Sequence, residues 1–243
     1  MTLTAQLTVL AVFAGLTIYL AKSLPKRIIL AINSFAAGNI LFLIVMTTSS
    51  VINRGAEMID AGRAGTGFLG NAWLFLAVTS VAIFAVPLVL IFVVGERRRS
   101  IIIAVAMGLL NLGLALSLGG DAATGLIPFT SLTVTLMAFL FLLEGLSMGA
   151  LLMKTQVNPW FVVSLGIIAG LPALAGFNIS SVQAADVIIP FTYAASAGFM
   201  IFYLPFILGT SHSSQDIKWH FIGMITGLFT SGLIVTTLTL FSR

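Results

Sequence analysis

Cysteine is absent from the 243 residues, which excludes disulfides, thiolate metal ligands and thiol redox chemistry and leaves the redox compartment unread. Charge is nearly as scarce. Asp, Glu, Lys and Arg make up 7% of the chain, against about 25% in an ordinary soluble domain, so a water-coated surface cannot be built. The same shortage excludes disorder, a coiled coil and nucleic-acid binding, because so few cations cannot neutralise a run of phosphates. Histidine occurs only at His212 and His220, so facing spans offer no pair for a bis-His haem. No Ser/His/Asp set lies within the apolar runs, and there is no GxSxG, HExxH, Walker loop or Rossmann fingerprint. The chain reads as no enzyme on its own, and no cofactor is expected.

What is present is apolar: 59% of residues are hydrophobic and the mean hydropathy is +1.17. Runs of about 20 apolar residues, enough to cross ~30 Å of hydrocarbon as helix, fall at 3–21, 26–50, 68–94, 99–118, 126–153, 159–177, 186–209 and 219–241. They predict an all-α polytopic membrane protein of eight transmembrane helices in a single domain, 1–243. The connections are short apart from 51–67. The first run is kept as a mature span, because its first positive charge, Lys22, follows the apolar stretch, whereas a signal peptide places it before.

An even number of spans puts both termini on one side. Lys22, Lys26, Arg27, Arg97, Arg98, Arg99, Lys154 and Lys218 occupy the opposite connections, while Arg54, Arg63 and Arg243 share the terminal side. Cytoplasmic loops retain Lys and Arg, so both termini are expected outside, in the cell membrane.

Small residues recur at helix-packing spacing in Gly145/Gly149, Gly166/Gly170 and Gly223/Gly227, with Ala36-Ala37-Gly38 similar in kind; such faces let backbones approach closely in lipid. Pro87, Pro172, Pro190 and Pro205 are expected to bend or break their helices. The chain also echoes itself. Residues 107–117 and 139–149 share a Gly-Leu-small-apolar-small ending, and Ser34-Phe35-Ala36-Ala37-Gly38 parallels Ala195-Ser196-Ala197-Gly198. Internal repeats of this kind are the usual build of secondary transporters, with a site at the repeat interface.

Glu144 is the one ionisable residue well inside a span. Ten residues before Lys154, it lies about 15 Å from the cytoplasmic end, near mid-bilayer. A carboxylate there is costly unless protonated, paired, hydrated or bound to a cation. Asn111 lies close to the repeat position that pairs with Glu144, so the two share a polar pocket if their helices touch. Asn39, Asn33 and scattered Ser and Thr complete the intramembrane polar set; simple interhelical hydrogen bonding is the alternative for each. His212 and His220 read as interfacial side chains.

With these motif-bearing helices and external termini, the chain from about 26 to 241 resembles the ZIP family of zinc and iron permeases. In that family the fourth and fifth helices carry a His-Asn-x-Pro-Glu-Gly-like motif followed by Leu-Ala-x-Gly, which builds a mid-membrane metal site. Here the fifth span has Glu144-Gly145-Leu146-Ser147-Met148-Gly149, keeping Glu-Gly without the His. The fourth has Gly108 through Ser117, keeping the Gly and the tail. Ala169-Gly170-Leu171-Pro172 is similar to the family's sixth helix without its acid, and Ala197-Gly198-Phe199-Met200-Ile201-Phe202 resembles its seventh.

The resemblance implies a ZIP-like bundle and a permease that works by rocking one helix bundle against another. Glu144 would bind a divalent metal cation or carry a proton, with Asn111 or Asn39 lending oxygen. It does not imply zinc specificity, because a divalent metal crossing hydrocarbon needs several His, carboxylate or amide ligands. The alternative is a non-transporting integral membrane subunit of a larger complex, in which Glu144 only makes structural hydrogen bonds. Partners consistent with these readings are the lipid bilayer, a divalent cation, and a second copy or other membrane subunits; nucleic acid is not among them.

Overall fold

The computed structural model describes residues 2–20, 23–65, 69–86, 89–90, 96–123, 131–153, 157–179, 185–208 and 214–241. Among these residues the chain is entirely helical, without strands, in eight α-helices: α1 (Thr2–Leu16), α2 (Lys26–Arg63), α3 (Leu69–Ser80), α4 (Glu96–Ala123), α5 (Ser131–Leu152), α6 (Pro159–Ile179), α7 (Ala185–Leu208) and α8 (Ser214–Phe241). A 3-10 turn, Thr17–Leu20, continues α1, and a π turn, Val81–Ala85, continues α3. Five of the helices, α2, α4, α5, α6 and α8, are long and apolar enough to cross a membrane; Gln6–Leu20, Asn71–Ala85 and Ile188–Leu204 are shorter apolar stretches.

Many large apolar side chains are exposed. Trp160, Phe229 and Leu233 are 77%, 70% and 71% exposed, whereas Asn39, Asn111, Glu144, Ser147, Ser196 and Ser231 are fully buried. Polar groups inside and bare hydrocarbon outside suit lipid as the surrounding medium. Trp73, Trp160 and Trp219, all exposed, lie near the starts of α3, α6 and α8, where interfacial tryptophans belong.

The eight helices match the eight apolar runs, with differences at the ends. α2 does not stop at 50. It runs on to Arg63, about 57 Å in all at 1.5 Å per residue, through what reads in sequence as a connection. Hydrophilic residues there extend the helix instead of ending it: Arg54 pairs with Glu57 at 3.0 Å and Arg63 with Asp60 at 3.9 Å, each three residues apart on one face. The stop comes at Gly65, whose φ of +74° is the left-handed conformation that closes helices.

Pro172 leaves α6 unbroken. It removes the amide that would bond to Ile168 O, and that carbonyl packs against Gly108 of α4. Pro190 and Pro205 likewise lie within the continuous α7. Pro87 falls outside the described residues, just past the π turn.

The helices pack as two groups of four. α1 lies on α5 and α6, and α4 on α6 and α5; α2 lies on α8, α7 and α3, and α7 also meets α3 and its π turn. The groups touch through α4 on α7, α2 on α5, and α5 on α8. A common plan relates the halves. Gly15 of α1 abuts the Leu142 carbonyl of α5, and Gly176 of α6 abuts that of Leu112 in α4; Gly38 of α2 meets the Met224 carbonyl of α8, and Gly198 of α7 that of Ala82 in the π turn after α3. Gly38 and Gly198 are the two glycines that the sequence echo pairs, and both are places where only a missing Cβ permits backbone contact.

Candidate functional site

Glu144 is on α5, 0% exposed, with Leu140, Phe141, Leu143 and Met148 buried around it on the same helix. Its carboxyl faces the side chain of Asn111 on α4, also 0% exposed. Two features bring them together. Gly108, a turn before Asn111, lets α4 settle on the Ile168 carbonyl of α6, and Gly145, next to Glu144, lets α5 settle on the Val12 carbonyl of α1. Both helices are thereby seated with these faces turned inward, where α4 and α5 meet.

Asn111 is held in place by α6. Its Nδ2 donates to Ala169 O at 3.0 Å, which fixes the amide and leaves Oδ1 turned away from that bond. Asn111 Oδ1 and both Glu144 carboxyl oxygens have no hydrogen-bond partner of good geometry. Asn111 is the polar side chain that faces the carboxyl. Among the described residues, no Lys, Arg or His forms an ion pair with Glu144; the ion pairs present lie on the exposed end of α2. A lone carboxyl in a dry interior needs one positive charge, as a bound proton or as a held cation.

Asn39 occupies a different place. It is fully buried on α2, against the turn of α5 that follows Leu143, and both ends of its amide are hydrogen-bonded. Nδ2 donates to Ser147 Oγ at 2.8 Å and to Leu143 O at 3.3 Å, both on α5, while Ser231 of α8 donates to Asn39 Oδ1 at 2.5 Å. Asn39 thus ties α2, α5 and α8 into one joint. Glu144 and Asn111 are brought together; Asn39 stands beside them with its hydrogen bonds already made.

Several residues of this interior are not singled out by the sequence. Ser147 and Ser231 complete the Asn39 joint. Ser196 of α7 donates to Ala106 O of α4 at 2.8 Å, the counterpart on the other side of the molecule. His220 is not merely interfacial: its Nδ1 pairs with Ser34 Oγ of α2, which also bonds Leu30 O at 2.8 Å. His212 lies outside the described residues. The one signal available for the serines was their place among small residues on glycine-rich faces, which marks close helix contact without naming the partner.

A metal centre built by this chain alone would require several ligands. Among the described residues, no three His, Cys, Asp or Glu side chains gather where they could hold an ion; at this point there is the one carboxyl of Glu144 with Asn111 beside it. No family model and no curated protein matches the chain. The site is therefore judged on its own chemistry.

Proposed function

We propose that the chain is a multi-pass membrane permease of ZIP-like build, in which Glu144 carries a proton or an oxygen-seeking cation with Asn111 as second ligand. One observation carries the reading: the fully buried carboxyl of Glu144 faces Asn111, its oxygens take no hydrogen bond of good geometry, and among the described residues no cation pairs with it. A structural carboxyl would have its oxygens hydrogen-bonded. The division into two helix groups, with α4 and α5 forming contacts to both groups, supports transport by rocking one group against the other around a central site.

In this reading all eight helices cross the cell membrane and both termini lie outside. A divalent metal would keep part of its water shell, since Glu144 and Asn111 offer too few ligands for Zn²⁺ or Fe²⁺. The same scarcity favours a second reading, a membrane subunit that transports nothing and docks on partners.

Reconstitution of the full chain in proteoliposomes, with a pH-sensitive dye and metal-sensitive dyes inside, separates the two. The permease reading expects flux of H⁺, Zn²⁺ or Fe²⁺ that falls by more than about tenfold in Glu144→Gln and less in Asn111→Leu. A parent protein inert to all three, isolated in gentle detergent with stoichiometric partners, would establish the subunit reading instead.

A further inference from the structure

The packing of α2 against α8 leaves a groove of about 390 Å³ on the outer face of the bundle, lined on one side by Arg27, Ala31 and Phe35 and on the other by Trp219, Ile222 and Thr226. Its floor includes Leu146 of α5, two residues from Glu144. The groove exists because Gly223 abuts the Ala31 carbonyl and Gly227 that of Phe35. The helix backbones touch, and the larger side chains flare to either side.

One end of this slot is cationic. Arg27 lines it, and its chain neighbour Lys26 and Lys218 of α8 are both exposed at the same ends of their helices. Among the described residues its lining carries no acid. Trp219, 40% exposed, stands beside Arg27. An aromatic with a polar edge and an arginine with an apolar stem are the pair that sits at headgroup level, the ring in the acyl boundary and the guanidinium in the phosphate layer.

From this charge complementarity we infer that the groove is a binding site for an anionic phospholipid, its phosphate on Arg27 and one acyl chain along Ala31, Phe35 and Ile222. Basic pockets between membrane helices hold acidic headgroups in this way. The bound chain packs on Leu146, so it braces α5 beside the Asn39 joint, at the turn that carries Glu144. The site depends on the membrane setting alone and stands whether or not Glu144 transports.

Native mass spectrometry of the full chain, released from nanodiscs of phosphatidylcholine mixed equally with phosphatidylglycerol, tests it. The expected result is one retained phosphatidylglycerol per chain. Retention should drop about fivefold in Arg27→Gln, from the roughly 1 kcal/mol that one cation contributes near an anionic surface. It should drop likewise in Ala31→Leu, which fills the slot and keeps the charge. Arg63→Gln, at the far end of α2 and paired with Asp60, should change nothing, and circular dichroism should show all variants helical.

Equal retention of both lipids, or phosphatidylglycerol retention untouched by Arg27→Gln and Ala31→Leu in helical protein, overturns the assignment. So does equal thermal stabilisation by inorganic phosphate alone, which would mean an anion site without lipid. A dimer whose contact is lost in Ala31→Leu would assign the groove to a second copy.

Discussion

Glu144 on α5 and Asn39 on α2 are both polar and both buried, yet their energetics should be opposite. Asn39 has all its partners, and each partner has a fallback: Ser147 also reaches Leu143 O at 2.8 Å and Ser231 reaches Gly227 O at 2.9 Å. Asn39→Ala should therefore cost only about 1 kcal/mol, the usual worth of an interhelical hydrogen bond in lipid, measured by unfolding in mixed micelles. Glu144→Gln removes an ionisable group whose oxygens are unsatisfied, so stability should stay level or rise while flux is lost. A large loss of stability in Glu144→Gln would make the residue structural.

Of these side chains, Glu144 was legible in the sequence because an acid in an apolar run stands out against its neighbours. Asn111 was legible through the repeat. The partners of Asn39 were not, since Ser147 and Ser231 lie 108 and 192 positions away and nothing local distinguishes a serine that crosses to another helix from one that bonds back to its own.

Helices were legible from apolar runs, and their number follows from the bilayer's thickness. Their ends were not, because hydropathy reports where lipid stops and not where the hydrogen-bond ladder does. α2 continues 13 residues beyond the apolar run, through a stretch that carries two exposed ion pairs, and ends where Gly65 turns left-handed. Gly65→Ala should fray this end and cost about 1 kcal/mol, with Gly65→Asn cheaper; hydrogen exchange over residues 58–65 reads the difference.

Glycine spacing is informative in the same limited way. It marked Gly145 and Gly38 as contact points, but only the fold shows that Val12 O and Met224 O lie where their Cβ atoms would be. Backbone carbonyls cannot rotate aside, so Gly145→Ala and Gly38→Ala should each cost about 1–3 kcal/mol. Gly170→Ala meets a Val9 methyl at 3.2 Å and no carbonyl, and should cost less.

Two groups of four helices are joined by hydrogen bonds from α2 to α5 and from α7 to α4, and the proposed rocking would have to work at this seam. The sequence echo of Gly38 and Gly198 falls on α2 and α7 of one group and does not relate the two groups, and the contacts that divide the helices four and four had no linear signature. If the groups rock, pinning the seam must stop them. The chain has no cysteine, so an Ala106→Cys/Ser196→Cys pair, placed where the two residues already bond, gives a single reversible crosslink. Flux should vanish on oxidation and return on reduction; undiminished flux in the crosslinked protein would rule out relative motion of α4 and α7.

The most direct measurement is infrared difference spectroscopy of the reconstituted chain across a pH titration and on addition of each transported cation. The account predicts a neutral carboxyl band that disappears as Glu144 gives up its proton or takes a cation, and that is missing in Glu144→Gln. A carboxyl band unchanged by pH and by every cation, in protein that retains its helices, would contradict it.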